Sequence, residues 1–356
     1  MAMKLNKLQL LNFRNHVNSV WEFDTKTIIN GANGSGKSNV LEAINLLAAG
    51  KSFRADTDNE MVRYGSPSAW IKGLVVSQNG ELELQAMVHD GSTVGIKKKF
   101  YVNGIPKRGV DFTGSLKAVT FSPEDMELLT GSPSRRRKYL DFVISQKDRE
   151  YRRSLISYEK GVRQRNRLLE KIREGEAERG QMFFWDRLLI KNGNFLTDKR
   201  HEFINYLSSQ IIEGENKFRC IYDKSEISEA RLLQYETAEI AAATTLVGPH
   251  RDDFWIEMED ADQENNFVNV AKFGSRGEQR MAILWLKKGE FNYLNENGDC
   301  PILLLDDIFS ELDHKHRKVV EEVANHVIGN GGQVIMTTAD EHMVPKEGWK
   351  IIKLTV

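Results

Sequence analysis

A chain of 356 residues, 40% hydrophobic and 28% charged, sits near the norms of soluble globular proteins and is long enough for one large folded unit or two lobes. No run approaches the roughly 18 apolar residues of a membrane span, and the first residues lack a secretory pattern. Cys220 and Cys300 stand alone, without metal or disulfide spacing, which fits a reducing cytoplasm.

In chain order, residues 5–13 alternate apolar and polar side chains like an edge strand, and 19–23 can pair with them. Residues 27–29 form a short buried-type strand that runs into a glycine-rich loop. A helix follows at 39–48 through Val40, Leu41, Ile44, Leu47 and Ala48. Between 70 and 110, turn signals at Asn79-Gly80, Asp90-Gly91 and Asn103-Gly104 divide a small antiparallel sheet of hairpins. Residues 116–121 make another strand, closed by Ser122-Pro123. From 124 to about 217 the pattern is helical. A break between Gly175 and Gly180 leaves two helices of about 30 residues, roughly 45 Å each. Leu155, Val162 and Leu169 at seven-residue spacing predict that the two pack as an antiparallel hairpin. Strands at 254–258 and 267–271, a helix at 277–293, a strand at 302–305, a helix at 314–327 and a strand at 333–336 complete the pattern. Alternating helices and apolar strands argue an α/β class with a mostly parallel sheet.

The net charge of −1 hides a split. Residues 133–200 hold 19 Lys+Arg and 10 Asp+Glu, a local +9, so the remainder carries −10. Two readings stay open: a solvated basic helical face, or a surface for phosphate backbones, to which Lys97, Lys98 and Lys99 would add.

Gly31, Ala32, Asn33, Gly34, Ser35, Gly36, Lys37 and Ser38 fit the phosphate-loop pattern in full, between a strand and an amphipathic helix. The glycines let backbone N–H groups wrap phosphates, Lys37 reaches the β- and γ-phosphates, and the Ser38 hydroxyl ligates Mg²⁺. The strand at 302–305 ends in Asp306 and Asp307, where ligand sites of parallel sheets lie. Asp306 is expected in the Mg²⁺ shell, and Asp307 to orient or deprotonate the attacking water. Ser275, Gly277 and Gln279 open the helix before that strand and suit a γ-phosphate. Because the chain already has a complete phosphate loop, this second reader points to a site completed by another subunit. Ser310 and Asp313 lie just after the acidic strand, at a partner-contacting position.

That ordered set resembles the ATP-binding cassette superfamily, and within it the RecF family. The resemblance extends to Asn12-Phe-Arg14-Asn15, Lys51-Ser-Phe-Arg54, Phe121-Ser-Pro-Glu-Asp125, Arg135-Arg-Arg137 and Gly248-Pro-His-Arg-Asp-Asp253, and so covers essentially the whole chain. It implies an ABC-ATPase head: a phosphate-loop lobe with an antiparallel β subdomain at 1–122, a helical lobe with a short arm at 123–245, and the rest of the head, with signature, acidic strand and Asp313 loop, at 246–356. It further implies ATP and Mg²⁺, an ATP-dependent head-to-tail homodimer, and weak DNA-stimulated hydrolysis to ADP and phosphate. The implied partners are double-stranded and gapped DNA, RecR with RecO, and indirectly RecA, in a cytoplasmic, nucleoid-associated setting.

Two departures matter. Where most cassettes place a γ-phosphate histidine, this chain reads Thr337-Thr338, with His342 a little late, so slow turnover is expected. The glutamine loop has no evident counterpart, although 122–125 occupies a comparable position. Arg14 and Asn15 could approach the nucleotide, or Arg14 could be an ion-paired strand residue. Arg135, Arg136, Arg137 and Lys138 could contact DNA or form a solvated basic turn. His250 and Arg251 lack metal partners and read as a structural polar network. A cassette subunit coupled to a non-DNA partner is the alternative. It would lack the basic helical insertion, just as an SMC-type clamp would need far longer heptad arms.

Overall fold

The computed structural model describes residues 3–52, 54–77, 80–91, 98–210, 217–260, 263–295, 300–308, 314–340 and 348–354. The chain divides into two compact units, Met1–Asp125 with Ile283–Val356, and Met126–Ala282. The stretch 246–282, expected with the C-terminal part of the head, clusters with the second unit, because β10 (Asp253–Asp260) pairs with β9 (Phe218–Asp223).

The first unit contains a six-stranded antiparallel sheet in the order β2-β1-β4-β5-β6-β7 and a five-stranded sheet in the order β14-β3-β13-β12-β8. The antiparallel strands are β1 (Lys4–Phe13), β2 (His16–Glu22), β4 (Ser68–Ser77), β5 (Gly80–His89), β6 (Lys98–Val102) and β7 (Ile105–Lys107). β1 is not an edge: it pairs with β2 on one side and β4 on the other. A register shift between Leu5 and Lys7 lets Leu5 join Leu8 and Leu10 in the core, and Phe13, also buried, follows Asn12, whose φ of 52° breaks the alternation a second time. The hairpin β6–β7 turns on Asn103 and Gly104, at φ 49° and 73°, the left-handed pair of a tight hairpin turn.

The second sheet consists of β3 (Lys26–Gly31), β8 (Ala118–Phe121), β12 (Ile302–Asp306), β13 (Val334–Thr338) and β14 (Lys350–Leu354), and all four pairs of neighbouring strands are parallel. Every residue of β8, β12 and β13 is buried, as the continuous apolar runs require. Helix α1 (Lys37–Ala49) buries 11 of its 13 residues, including Val40, Leu41, Ile44, Leu46 and Leu47, in the shared core of the unit. Since β13 lies between β3 and β12, the loop leaving β3 and the carboxylates ending β12 share one end of the sheet.

In the second unit, α2 (Pro133–Lys147), α3 (Arg149–Arg173), α4 (Phe183–Ser208) and α5 (Glu229–Ala242) accompany the sheet β11-β10-β9, with β11 at Gln263–Asn269. The predicted continuous first helix is two. It is interrupted at Asp148, whose side chain caps α3 by accepting from Tyr151 N. α3 and α4 have 25 and 26 residues and do pack against each other, but not on a Leu-Val-Leu heptad. Val162 is half-buried, and the stripe facing inward is Tyr151, Ser154, Leu155, Tyr158, Gly161, Arg165 and Leu169. A Cβ on Gly161 would stand 2.6 Å from Leu188, so glycine sets the close approach of the pair. Val270 and Ala271, predicted as strand, belong to a helical turn after β11. Helix α6 (Arg276–Asn295) follows, and α7 (His314–Gly329) precedes β13.

A buried ionic network organises this unit. Arg165, 1% exposed, reaches Asp186 on α4 and Glu239 on α5, both at 2.7 Å, and Thr245 at 3.1 Å. Arg200 binds Asp141, Asp252 and the Pro249 carbonyl. The run Gly248–Asp253 is thus a structural hub: Tyr222 and Ser225 N also bind Asp252, and His250 joins Tyr158 Oη to the Thr245 carbonyl. Among the described residues no helix is long and apolar enough to cross a membrane, and Cys220 and Cys300 are buried free thiols.

Candidate functional site

The loop leaving β3 reaches α1 through Gly34 and Gly36, at φ 81° and 103°, conformations that favour glycine. Gly36 is the N-cap of α1, where no side chain supplies a capping bond and no acid stands in the first turn. The helix therefore presents uncapped N–H groups and its positive end, the physical requirement for phosphate. Lys37 Nζ bonds the carbonyls of Gly31 (2.7 Å) and Ala32 (3.0 Å), which holds its charge inside the loop. The buried Ser35 Oγ has no hydrogen-bond partner among the described residues, an orphan that suits a nucleotide-binding loop. The loop fits a nucleotide's phosphates on these grounds.

At the end of β12, Asp306 is 3% exposed and accepts from Ser38 Oγ (2.8 Å) and Thr337 Oγ1 (2.7 Å). Burial pushes its carboxyl above the usual range, opposed by those two hydroxyls. Ser38 and Asp306, 268 positions apart in sequence, thus place two hard oxygen donors together, as a Mg²⁺ site requires. No cluster of three or more His, Cys, Asp or Glu that could hold a metal occurs among the described residues, so phosphate oxygens would complete such a shell. Asp307 adopts φ 48°, unusual for a residue with a side chain. Its N–H donates to the Thr337 carbonyl (3.2 Å) and to Thr337 Oγ1 (3.0 Å). Thr337, which stands where most cassettes place a γ-phosphate histidine, bridges the two aspartates. His342 and Asp313, with Ser310, lie outside the described residues, as does Lys97.

The motifs did not name Glu42, Lys287 or Glu290, which the structure ties to residues that they did. Glu42 is fully buried in α1 and is held by Arg14 in a two-pronged ion pair (2.7 and 2.9 Å) and by Ser52 Oγ. Arg14 is thereby held in an ion pair at the edge of the phosphate loop's helix. A lone glutamate among the buried residues 40–49 is the signal that a cation had to be nearby. Asn15 Nδ2 donates to the Ser35 carbonyl at 3.1 Å, which puts Asn15 against the phosphate loop. Glu124 Oε2 is buried with no hydrogen-bond partner among the described residues, and the charge of Glu124 adds to the upward shift of Asp306. Asp125, its neighbour, is consumed by the buried Lys287, which also binds Glu290.

In the second unit, Ser275 is the N-cap of α6 in a reciprocal capping arrangement: Glu278 N donates to Ser275 Oγ, and Ser275 N donates to Glu278 Oε2. Gln279 turns back onto the carbonyls of Val270, Ala271 and Gly274, fixing the approach to the helix. Gly277 follows in the first turn of α6. Ser275 and Arg276 are exposed, and Phe273 beside them is 69% exposed, so this helix end is open to a binding partner.

The basic run at the start of α2 is not a free cation cluster. Arg136 is buried against Asp253 (2.6 and 2.8 Å), Arg137 bonds the Asp252 carbonyl (2.8 Å), and Arg135 pairs with Glu127 (2.5 Å); Lys138 is exposed. A basic surface lies instead on α3. Arg153, Lys160, Arg163, Arg167 and Lys171 recur every three to seven residues on its exposed face, with no ion-pair partner among the described residues.

Residues 4–356 match the family described as RecF/RecN/SMC N terminal domain. A DNA replication and repair protein RecF of Moorella thermoacetica is 33% identical, over 97% of this chain and 92% of that one. The same-named protein of Agathobacter rectalis is 34% identical, over 87% and 86% respectively. A solved structure of the recombination mediator protein RecF-ATPrS in the RecFOR pathway superposes with a TM-score of 0.85 at 33% identity, covering 99% of this chain and 96% of that one. An SMC head bound to the C-terminal winged-helix domain of ScpA, at 16% identity and a TM-score of 0.51, shares the fold. The ABC-ATPase head expected from the phosphate loop and the acidic strand is the fold observed, and the chain belongs to the RecF family of DNA replication and repair proteins.

Proposed function

We propose that this chain is an ATP-gated DNA clamp of replication and recombinational repair. Two copies assemble head to tail, each phosphate loop facing the Ser275 end of the other. The observation that carries this reading is the exposed N-terminus of α6, where Ser275 and Arg276 face solvent, on a chain that already holds a complete phosphate cradle. A γ-phosphate would take the place of the Glu278 carboxylate on the Ser275 N–H. Gly31 to Ser38 would hold the nucleotide, with Ser38 and Asp306 holding Mg²⁺, which when bound neutralises the β- and γ-phosphates. Asp307, fixed in an unusual backbone conformation beside Thr337, would orient the attacking water. ATP binds the closed dimer better than the open subunits, and that difference drives closure. Loss of the γ-phosphate removes the bridge and releases DNA.

The solved RecF relatives include a form named for bound ATP and are placed by name in the RecFOR pathway, which supports ATP as the nucleotide. RecR with RecO, and RecA indirectly, are the partners this reading takes over, with gapped and double-stranded DNA as substrate, in the cytoplasm. The α3 stripe supplies sequence-independent phosphate contacts in place of Arg136 and Arg137.

Fluorescence anisotropy of a labelled tailed duplex tests the reading. Mg-ATP is expected to tighten binding at least tenfold in the wild type, and Lys37→Ala and Ser275→Arg each to abolish that gain. DNA affinity indifferent to ATP, or unchanged in both variants, would exclude the clamp and favour a cassette subunit that drives a non-DNA partner.

A further inference from the structure

The turn between β1 and β2 is built against the phosphate loop, and its construction is unusual. Asn12 and Arg14 both adopt φ 52°, a conformation residues with side chains seldom enter. The turn is nevertheless fixed from several sides. Arg14 N donates to the Met61 carbonyl (3.0 Å), Arg63 N to the Asn12 carbonyl (2.8 Å), and Arg63 Nη1 to the Asn15 carbonyl (3.0 Å). The Arg14–Glu42 pair ties it to α1.

All of this delivers one side chain. Asn15 Nδ2 donates to the Ser35 carbonyl (3.1 Å), while its Oδ1 accepts from Asn39 Nδ2 (2.8 Å), so the amide is held at both ends. His16, 5% exposed, sets Nε2 3.1 Å from the next carbonyl, Gly36. That carbonyl is already fixed by Asn39 N and Val40 N at the start of α1, whereas Ser35 lies before the helix begins. The approach is close enough that a Cβ on Gly36 would fall 2.5 Å from Asn15 Oδ1.

We propose that Asn15 is a positioning residue for nucleotide binding, acting through the Ser35–Gly36 peptide and not by touching the nucleotide. In a trans peptide the carbonyl and the N–H point in opposite directions. Holding the Ser35 carbonyl toward Asn15 therefore turns the Gly36 N–H the other way, into the cradle where phosphate-loop N–H groups meet the α- and β-phosphates. Gly36 has φ 103° and no side chain to bias it, so this peptide unit needs an external restraint. The inference rests on the nucleotide reading of Gly31–Ser38, and it assigns Asn15 a role distinct from contact with adenine or the γ-phosphate.

Isothermal titration of the full chain with Mg-ADP, Mg-ATP and Mg-GTP separates these roles. Asn15→Leu keeps the size and removes the donor. It is expected to weaken ADP and ATP by the same factor, about tenfold, the scale of a hydrogen bond to a charged group. Asn39→Ala releases the Asn15 amide without altering Asn15, and is expected to give the same equal loss at about threefold, which carries the test if Asn15→Leu fails to fold. The thermal midpoint without nucleotide should stay within about 2 °C for Asn39→Ala. Unchanged affinity in both variants, a loss confined to ATP, or an altered preference between ATP and GTP would overturn the assignment. A wild-type chain that binds no nucleotide would overturn the loop reading itself, and this role with it.

Discussion

His250 shows how single residues in the second unit are tied to pH. Its ring lies between Tyr158 Oη and the Thr245 carbonyl, and burial is the largest cause that pushes its pKa down to about 4. Arg251 and Arg137 push the same way, while the Thr245 carbonyl and Asp252 oppose them. The unfolded chain takes up this proton near pH 6.5, the folded chain only near 4, so the stability it supports is present above 6.5 and lost as pH falls through that window. Unfolding free energy is expected to drop by about 3 kcal/mol between those limits, and by much less in His250→Gln. Equal slopes in the two proteins would show that His250 is not the titrating group. At this scale the sequence was legible where chemistry is local. The phosphate loop and the pair Asp306-Asp307 could be read from spacing alone. The partners could not: Arg14 meets Glu42, Arg136 meets Asp253 and Thr337 meets Asp306 across 28 to 117 positions, and only the fold brings them together. That is why the ion pairs of Arg14 and Arg136 were not legible in the sequence.

Among the elements, α3 is the one whose two faces do different things. Its inner face is tied by Arg165 to Asp186 and Glu239, while its outer face carries five cations with no ion-pair partner among the described residues. From Arg153 to Lys171 that stripe spans about 27 Å. If it lies along a phosphate backbone, affinity for a non-specific duplex should fall steeply with salt, and Arg163→Gln with Arg167→Gln should lower the log–log slope by about 2. A slope unchanged in the double variant would place the DNA surface elsewhere. The basic excess at 133–200 was evident as composition, but its location was not, because burial decides which arginines remain free. The same limit explains the missed elements. β14 is an edge strand of five residues with alternating partial exposure, and α5 buries only Leu232 and Glu239, so neither carries a strong periodic signal.

For the whole molecule, the fold class followed from alternation of strands and helices, whereas the place of 246–282 did not. That segment pairs its strand β10 with β9, a partner whose own strand was not anticipated, and so clusters with the helical unit. The consequence is functional. The phosphate loop and Asp306 belong to one compact unit and Ser275 to the other. The exposed α6 terminus, where Ser275 and Glu278 cap each other, and the uncapped α1 terminus are two helix N-termini on one chain, and the proposed clamp uses both by pairing two copies.

Sedimentation velocity with a labelled tailed duplex, with and without Mg-ATP at two salt concentrations, tests this account most directly. It predicts a species of two chains on one DNA that forms only with ATP and diminishes at the higher salt. A single chain bound to DNA regardless of ATP, or ATP-driven dimers that ignore DNA, would contradict it.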